Sequence, residues 1–122
     1  MTVIDKRLEN EKVIMVDIDE TVCLHHCVNA GEFKVIYHSR ITRLNKHQIN
    51  INLLDKLYRL NYALIFWSAT GAEWAELVCK AFDIDYMASL YLTKPRYYID
   101  DLPCQAWMGE RIYKDPVTGE EK

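Results

Sequence analysis

Short apolar runs along the chain alternate with segments that have helical periodicity. Residues 12–17 form a continuous apolar run with Val and Ile, which is typical of a strand buried on both faces of a parallel sheet. Residues 62–67 form a second such run, and residues 97–99 form a third, shorter one that ends at two aspartates. A short apolar segment at 90–92 lies between them. The pattern predicts three strands in one sheet.

Two helical patterns separate these runs. In the first, between positions 47 and 60, Asn45 or Asn50 can cap the start and apolar residues recur at helical spacing: Ile49, Leu53, Leu57 and Leu60. The second follows Ser68-Ala69-Thr70-Gly71 and carries Trp74, Leu77, Val78 and Phe82, with Cys79 as a further core residue. Strands alternating with helices favour an α/β fold. We expect a three-layer Rossmann-like domain with a mostly parallel sheet.

A β-hairpin is predicted between the first strand and the first helix. Residues 22–28 and 33–38 are partly β-branched runs that flank a turn sequence at 29–32. This segment leaves room for a small hairpin flap but for no cap domain, so we expect an open site that admits bulky substrates. The composition predicts a polar tail from about position 109. The length predicts that residues 1–122 form a single domain.

Composition excludes several classes of function. Half of the 122 residues are hydrophobic and 27% are charged, as in ordinary globular domains. The net charge of −3 gives no general attraction to nucleic acid or anionic lipid. No apolar run approaches the roughly 20 residues that cross a bilayer, and the first residues are too charged for a secretory signal. We expect a cytoplasmic protein with reduced cysteines and no membrane partner; the sequence carries no mark of its oligomeric state.

Polar side chains follow the predicted strands at the ends where parallel sheets bind ligands. They are Asp17 and Asp19 after the first strand, Ser68 after the second, and Asp100 and Asp101 after the third, with Lys94 in the preceding loop. Four converging carboxylates repel one another, and a divalent cation relieves that repulsion. Mg²⁺ suits oxygen ligands and normally also binds substrate phosphate. The pattern therefore predicts a magnesium site and a phosphate-ester substrate.

The first acidic loop suits covalent phosphoryl transfer. A carboxylate beside a metal and a lysine can attack phosphorus and form an aspartyl phosphate. A second carboxylate two residues on can protonate the leaving oxygen and later activate water. Ser68 and the N–H groups that start the next helix can hold phosphoryl oxygens. The plainer alternatives are a solvated loop with a capping aspartate and an exposed loop lysine at Lys94.

These residues resemble the four ordered motifs of the haloacid dehalogenase superfamily of phosphatases, over positions 12–104. The motifs are Asp17-Ile18-Asp19-Glu20-Thr21, Ser68, Lys94 and Asp100-Asp101. The resemblance implies that Asp17 is the nucleophile and a magnesium ligand. It also implies that Asp19 is the general acid/base, with its backbone carbonyl on the metal. The remaining implied roles are an ordering and phosphate-binding role for Thr21, phosphoryl binding by Ser68 and Lys94, direct metal ligation by Asp100, and a water-mediated or orienting role for Asp101.

Two branches of that superfamily are similar to this chain. Tyr91-Leu92-Thr93-Lys94-Pro95 followed by Tyr98-Ile99-Asp100-Asp101 is similar to small capless members associated with sugar phosphates or capsule synthesis. The first motif and Ser68-Ala69 resemble instead phosphatases acting on phosphoserine in the RNA polymerase tail. The short step from Lys94 to Asp100 favours the first branch. The substrate stays open among a sugar phosphate, a nucleic acid 3'-end and a phosphoprotein, with a non-catalytic phosphate-binding or regulatory module as the alternative class.

Two further groups carry weaker signals. Potential zinc ligands crowd into one short segment, Cys23, His25, His26 and Cys27. Neighbouring side chains of a strand point to opposite faces, so all four cannot bind one ion, and packing or substrate contact is favoured. The basic stretch 38–47 either guides an anionic substrate or forms a solvated loop and helix start. Its members are His38, Arg40, Arg43, Lys46 and His47.

Overall fold

The computed structural model describes residues 5–9, 12–25 and 31–103, together with positions 109, 112, 114, 118 and 120. The predicted zinc ligands His26 and Cys27 and most of the predicted polar tail lie outside these residues. The elements are β1 Val13–Asp17, β2 Cys23–Leu24, β3 Phe33–Tyr37, β4 Arg40–Lys46, α1 Gln48–Arg59, β5 Ala63–Ser68, α2 Ala72–Ala81 and β6 Ala88–Thr93. Short 3-10 helices lie at Lys6–Glu9 and Asp85–Met87.

A parallel sheet with the strand order β1, β5, β6 forms the centre of the fold. β5 lies in the middle, and its apolar residues are buried because both of its edges are paired and α2 contacts it. The registers place Asp17 beside Trp67 and Ser68 beside Thr93. The carboxyl ends of the three strands therefore meet at one edge. This confirms the predicted α/β class with a parallel main sheet.

β1 is less buried than its sequence predicts. Val16 is buried, but Val13 is 38% exposed, and Ile14 and Met15 are partly covered. Within the described part of the chain, β1 is paired on one side only, with β5. A strand at a sheet edge leaves more of its surface to solvent than a central one does. The prediction that this strand is buried on both faces is therefore wrong.

The prediction of a strand at 97–99 is also wrong. These residues form no strand, and Tyr97 and Ile99 are almost completely exposed. The third strand of the sheet is β6, which extends the predicted 90–92 segment at both ends. An apolar run becomes a buried strand only where another element covers it, and here β6 already pairs with the second edge of β5.

The hairpin joins different segments from those predicted. β3 pairs antiparallel with β4 through the two-residue turn His38-Ser39, and β2 pairs with the other edge of β4. Both turn residues have positive φ, 49° and 63°, as in the type I′ turns that connect tight hairpins. The basic stretch 38–47 is therefore mostly strand β4. Its interpretation as a solvated loop is wrong, although His47 does start the first helix, and its guidance of an anionic substrate stays a prediction. The signal was missed because His-Ser lacks the glycine usual in such turns.

The first helix has the predicted position but a different buried face. Its N-cap is His47, whose Nδ1 accepts from the Asn50 N–H at 3.4 Å, so neither predicted asparagine cap is used. Asn50, Ile51 and Leu54 are buried, whereas Ile49 is 57% exposed. The predicted apolar stripe is therefore displaced around the helix. Its position follows from Asn50, which is drawn inward by a hydrogen bond described below.

The second helix fills the core between the two sheets. It contacts β5 and β6 on one side and β3 on the other, and it contributes Trp74, Val78 and Cys79 to the buried cluster, as predicted. Its N-cap is Gly71 with φ 139° and ψ 160°, a conformation that residues with a side chain adopt only under strain. No helix in the described ranges is long and apolar enough to span a bilayer.

Candidate functional site

The loop after β1 is wound tightly at the carboxyl edge of the sheet. The backbone carbonyl of Ile18 accepts hydrogen bonds from the N–H groups of Thr21, Val22 and Cys23, at 2.9 to 3.2 Å. Asn50 of α1 donates from Nδ2 to the Thr21 carbonyl at 2.9 Å. The side chain of Asn50 is buried, so this bond ties the loop to the first helix. Asp17 and Asp19 are thereby held on a rigid turn.

Asp17 is held between a cation and a hydroxyl. Lys94 Nζ donates to Oδ1 at 2.7 Å, and Thr21 Oγ1 donates to Oδ2 at 3.0 Å. The Lys94 backbone is itself fixed, because its N–H donates to the Ser68 carbonyl at 3.0 Å. The side chains of Asp17 and Lys94 are each 35% exposed. The carboxylate is therefore fixed in position and still open to a ligand from solvent.

Asp19 is held by three side chains from three parts of the fold. Ser68 Oγ donates to Oδ2 at 2.9 Å, and Trp74 Nε1 donates to Oδ1 at 3.1 Å. His25 Nε2 lies 2.7 Å from the same Oδ1. Ser68 is completely buried, and its Oγ accepts from the Thr70 N–H at 3.0 Å. This carboxyl group therefore has little freedom to rotate.

The described structure brings together five of the seven residues that the sequence analysis proposed: Asp17, Asp19, Thr21, Ser68 and Lys94. No hydrogen bond or ion pair among the described residues joins Asp100 or Asp101 to these five. Both are exposed, and Asp100 Oδ1 accepts from the N–H of Leu102 at 2.9 Å, which is a local turn contact. The predicted third strand, which would deliver these aspartates to the edge, does not form at 97–99.

Two residues of the site were not predicted for it. Trp74 was assigned only to the core, and it is indeed 4% exposed, but its ring N–H reaches Asp19. His25 is predicted from the sequence as a potential zinc ligand or a substrate contact, and not as a partner of Asp19. The backbone N–H of His25 donates to Glu20 Oε1 at 3.0 Å, so the Glu20 carboxylate holds the backbone of His25 in place. The contacts of Trp74 and His25 with Asp19 cannot be predicted from apolar periodicity, because they depend on how the loop and helix α2 pack together.

The hairpin forms one wall beside the site. The Tyr37 ring lies 5.7 Å from the Trp74 ring, and a Cβ at Gly71 would lie 3.3 Å from the Tyr37 hydroxyl. The His25 ring lies on the Trp74 ring as well, 6.2 Å away. The hairpin thus packs on the start of α2, as a flap would, without enclosing Asp17.

Cys23 lies next to this site and is completely buried. Its Sγ is 3.7 Å from His25 Nε2 and 3.7 Å from the Ile18 carbonyl oxygen. Burial, and then the neighbouring Asp19 carboxylate, raise the pKa of its thiol above the usual value of 9.0. The sulfur is therefore a neutral thiol at neutral pH and is not a reactive nucleophile.

The donor atoms fit a hard cation in part. Asp17 offers carboxylate oxygens at an accessible edge. The backbone carbonyl of Asp19 accepts no recorded hydrogen bond from the described residues. Oxygen ligands of this kind, completed by water and phosphate, suit Mg²⁺. Comparison with known protein families gives no matching family model, and comparison with curated proteins gives no match either.

Proposed function

We propose that this protein is a magnesium-dependent phosphomonoesterase of the haloacid dehalogenase type, acting through a phospho-aspartate at Asp17. The observation that supports it best is the Asp17 carboxylate, held at 2.7 Å from Lys94 Nζ and 3.0 Å from Thr21 Oγ1 at a strand end. A second carboxylate, Asp19, is fixed two residues later. A nucleophile, a cation and an acid/base then share one accessible edge of the sheet.

The chemistry runs in two displacements at phosphorus. An oxygen of Asp17 attacks, the ester P–O bond breaks, and the leaving oxygen takes a proton from Asp19. Water then attacks the aspartyl phosphate and gives a proton back to Asp19, so that inorganic phosphate leaves and the Asp17 carboxylate is restored. The positive charge of Lys94 offsets the charge on the transferring oxygens.

Mg²⁺ would be held by Asp17 and by the backbone carbonyl of Asp19. Asp100 would be a further ligand, with Asp101 orienting it through water, only after their exposed turn moves toward the strand ends. When bound, it neutralises charge on the phosphoryl group. The same proposal assigns the α/β domain to the three-layer Rossmann-like class without a cap.

Ser68 acts mainly on Asp19 in this proposal. A hydroxyl has a single hydrogen, so Ser68 cannot donate to Asp19 and to a phosphoryl oxygen at the same time. It binds a phosphoryl oxygen only in a state in which its 2.9 Å bond to Asp19 is released. The same limit applies to Thr21, whose hydroxyl donates to Asp17 at 3.0 Å, so the direct phosphoryl contact falls first to Lys94.

An extended anionic substrate is favoured by the outer face of the hairpin. Lys34 of β3 and Arg43 of β4 are exposed and lie directly opposite each other in the ladder. Like charges in facing positions destabilise a sheet unless an anion lies between or above them. Ile36 and Ile41, the next facing pair on this side, are also exposed. A phosphorylated nucleic acid end fits this surface better than a small sugar phosphate does.

The test measures phosphate release with Mg²⁺, with EDTA, and with Asp17→Asn. The substrates are p-nitrophenyl phosphate, a 3'-phosphorylated oligonucleotide, a sugar phosphate and a phosphopeptide. We expect Mg²⁺-dependent turnover that Asp17→Asn lowers by at least about 10³-fold, as loss of a nucleophile does. Asp83→Asn is the matched control, because Asp83 is exposed at φ 56°, where asparagine is tolerated.

Two outcomes would contradict the proposal. Wild-type turnover in Asp17→Asn would remove Asp17 from the mechanism, and no turnover of any of the four substrates by folded protein would favour a binding module. Fastest turnover of the oligonucleotide, with a rate that falls as salt is added, would support the nucleic acid end as substrate.

A further inference from the structure

A sulfur, a nitrogen and an oxygen ligand meet beside the acidic loop. Cys23 Sγ, His25 Nε2 and Asp19 Oδ1 all lie within 4.8 Å of one another. Mg²⁺ binds hard oxygen ligands, so it would not select a thiol and an imidazole. The proposed phosphatase chemistry gives no role to Cys23 either. The cluster therefore requires its own explanation.

The spacing of the sulfur and the nitrogen fits tetrahedral coordination. With Zn–N near 2.0–2.1 Å and Zn–S near 2.3 Å, a tetrahedral ion places the nitrogen and sulfur roughly 3.6 Å apart. Cys23 Sγ and His25 Nε2 are 3.7 Å apart. The nitrogen and oxygen, now 2.7 Å apart, need to separate to roughly 3.4 Å to admit an ion.

The three side chains are already oriented by their surroundings. Ser68 and Trp74 hold the Asp19 carboxyl group, and the backbone N–H of His25 is fixed by Glu20. Cys23 is fixed by the hydrogen bond from its N–H to Ile18 and by its strand pairing with Lys46. Supporting contacts of this kind set the affinity of metal sites. The ion reaches the cluster from the solvent side, where the side chains of Asp19 and His25 are each 33% exposed.

We propose that Asp19, Cys23 and His25 form a binding site for Zn²⁺ or a similar borderline divalent cation, which shares only Asp19 with the proposed magnesium site, and that its occupation inhibits the protein. As the Zn–S bond forms, the Cys23 thiol releases its proton to solvent, and water fills the fourth position. The bound ion takes up the carboxylate of Asp19, which then cannot transfer protons. The inhibition rests on the proposed phosphatase function, whereas the metal site itself does not.

The first experiment detects the site without any use of activity. Co²⁺ is added to the purified full-length chain, and the thiolate-to-cobalt charge-transfer band and the visible bands of tetrahedral Co²⁺ are recorded. We expect both in wild type, and we expect Zn²⁺ to displace them. Cys23→Ser should abolish the charge-transfer band, and His25→Ala should weaken Co²⁺ binding by more than the roughly 10–100-fold that changes in supporting residues cost.

Matched controls separate this site from unspecific binding. Cys79→Ser removes the other buried thiol of the described residues, in α2, and His38→Ala removes an exposed histidine at the hairpin turn. Both should keep the spectrum of wild type. Because His25 is partly exposed, its alanine variant should fold even if Cys23→Ser does not, and circular dichroism checks the fold of each variant.

The effect of Zn²⁺ on phosphate release is measured in a separate experiment. Zn²⁺ should inhibit the Mg²⁺-dependent rate of wild type, and the inhibition should weaken at least tenfold in Cys23→Ser, measured against the zinc-free rate of that variant. A missing charge-transfer band in folded wild type, or an unchanged band in Cys23→Ser, would overturn the metal site. If the protein shows the expected cobalt spectrum but no turnover, the metal site is supported and the proposed phosphatase function is contradicted.

Discussion

At the scale of single residues, the contact between Lys94 and Asp17 matters for charge rather than for stability. Both side chains are about one-third exposed, and pairs of this kind contribute only ~0–1 kcal/mol to folding. In the proposed mechanism, the same ammonium group lies beside the oxygens on which negative charge develops during phosphoryl transfer. In an open site its effect on the transition state should therefore be much larger than its effect on the fold.

Replacing Lys94 by methionine tests this difference. We expect kcat/KM for phosphate release to fall by about 10²–10³, as when one oxyanion donor is removed. The free energy of unfolding in urea should change by less than ~1 kcal/mol. Lys80→Met is the matched control, because Lys80 forms a 2.7 Å ion pair with Glu76 on the exposed side of α2. Equal losses of rate in the two variants would argue against a catalytic position for Lys94.

At the scale of elements, helix α1 supports the acidic loop through one buried side chain. Asn50 is 3% exposed and donates to the carbonyl of Thr21, whose hydroxyl in turn donates to Asp17. An asparagine on the buried face of a helix is unfavourable unless it is hydrogen-bonded. Its position on the inner face explains why the apolar stripe expected from the sequence is displaced.

Replacing Asn50 by alanine should release the loop. We expect a loss of about 1 kcal/mol in the free energy of unfolding, because the partly buried bond from Asn50 to the Thr21 carbonyl is lost. Turnover should fall as well, since Thr21 and Asp17 lose their fixed geometry. Asn52→Ala on the exposed face of the same helix should change neither quantity appreciably. Urea denaturation and phosphate release measure both; a loss of stability with full turnover would separate the loop from the site.

At the scale of the whole molecule, the core buries thiols whose protonation is tied to folding. Burial, and then the charge of Asp85, raise the pKa of Cys79 from 9.0 to about 12. The folded protein therefore holds this proton over a range of pH in which the unfolded chain loses it. By linkage, the stabilisation is complete below pH 9 and is lost as the pH rises toward 12.

The free energy of unfolding should therefore decrease as the pH is raised above about 9. In Cys79→Ala the decrease should be shallower, by at most ~1.4 kcal/mol per pH unit, which corresponds to one proton. Leu77→Ala is the control, because it removes core volume from the same helix without removing a titrating group. Urea titrations between neutral and alkaline pH provide the slopes, and an unchanged slope in Cys79→Ala would contradict the assignment.

Most of the alternation of strands and helices could be predicted from the sequence, because apolar periodicity is a local property. The runs of β1 and β5 and both helices lie within a few residues of their expected bounds. The hairpin was misassigned because its turn, His38-Ser39, depends on positive φ in residues that carry no such signature. The apolar run at 97–99 does not form the predicted strand, because an apolar segment becomes a strand only when another element covers it.

The sequence by itself determined that Asp17, Asp19, Ser68 and Lys94 lie at or just beyond strand ends, and parallel pairing then brings those ends to one edge. Only the tertiary structure decided which groups hold each carboxylate. Trp74 and Ser68 reach Asp19 from 55 and 49 residues away along the chain, and Asn50 reaches the loop from another helix. Such contacts depend on how helices and sheets pack, and packing is a property of the assembled core that no local pattern encodes.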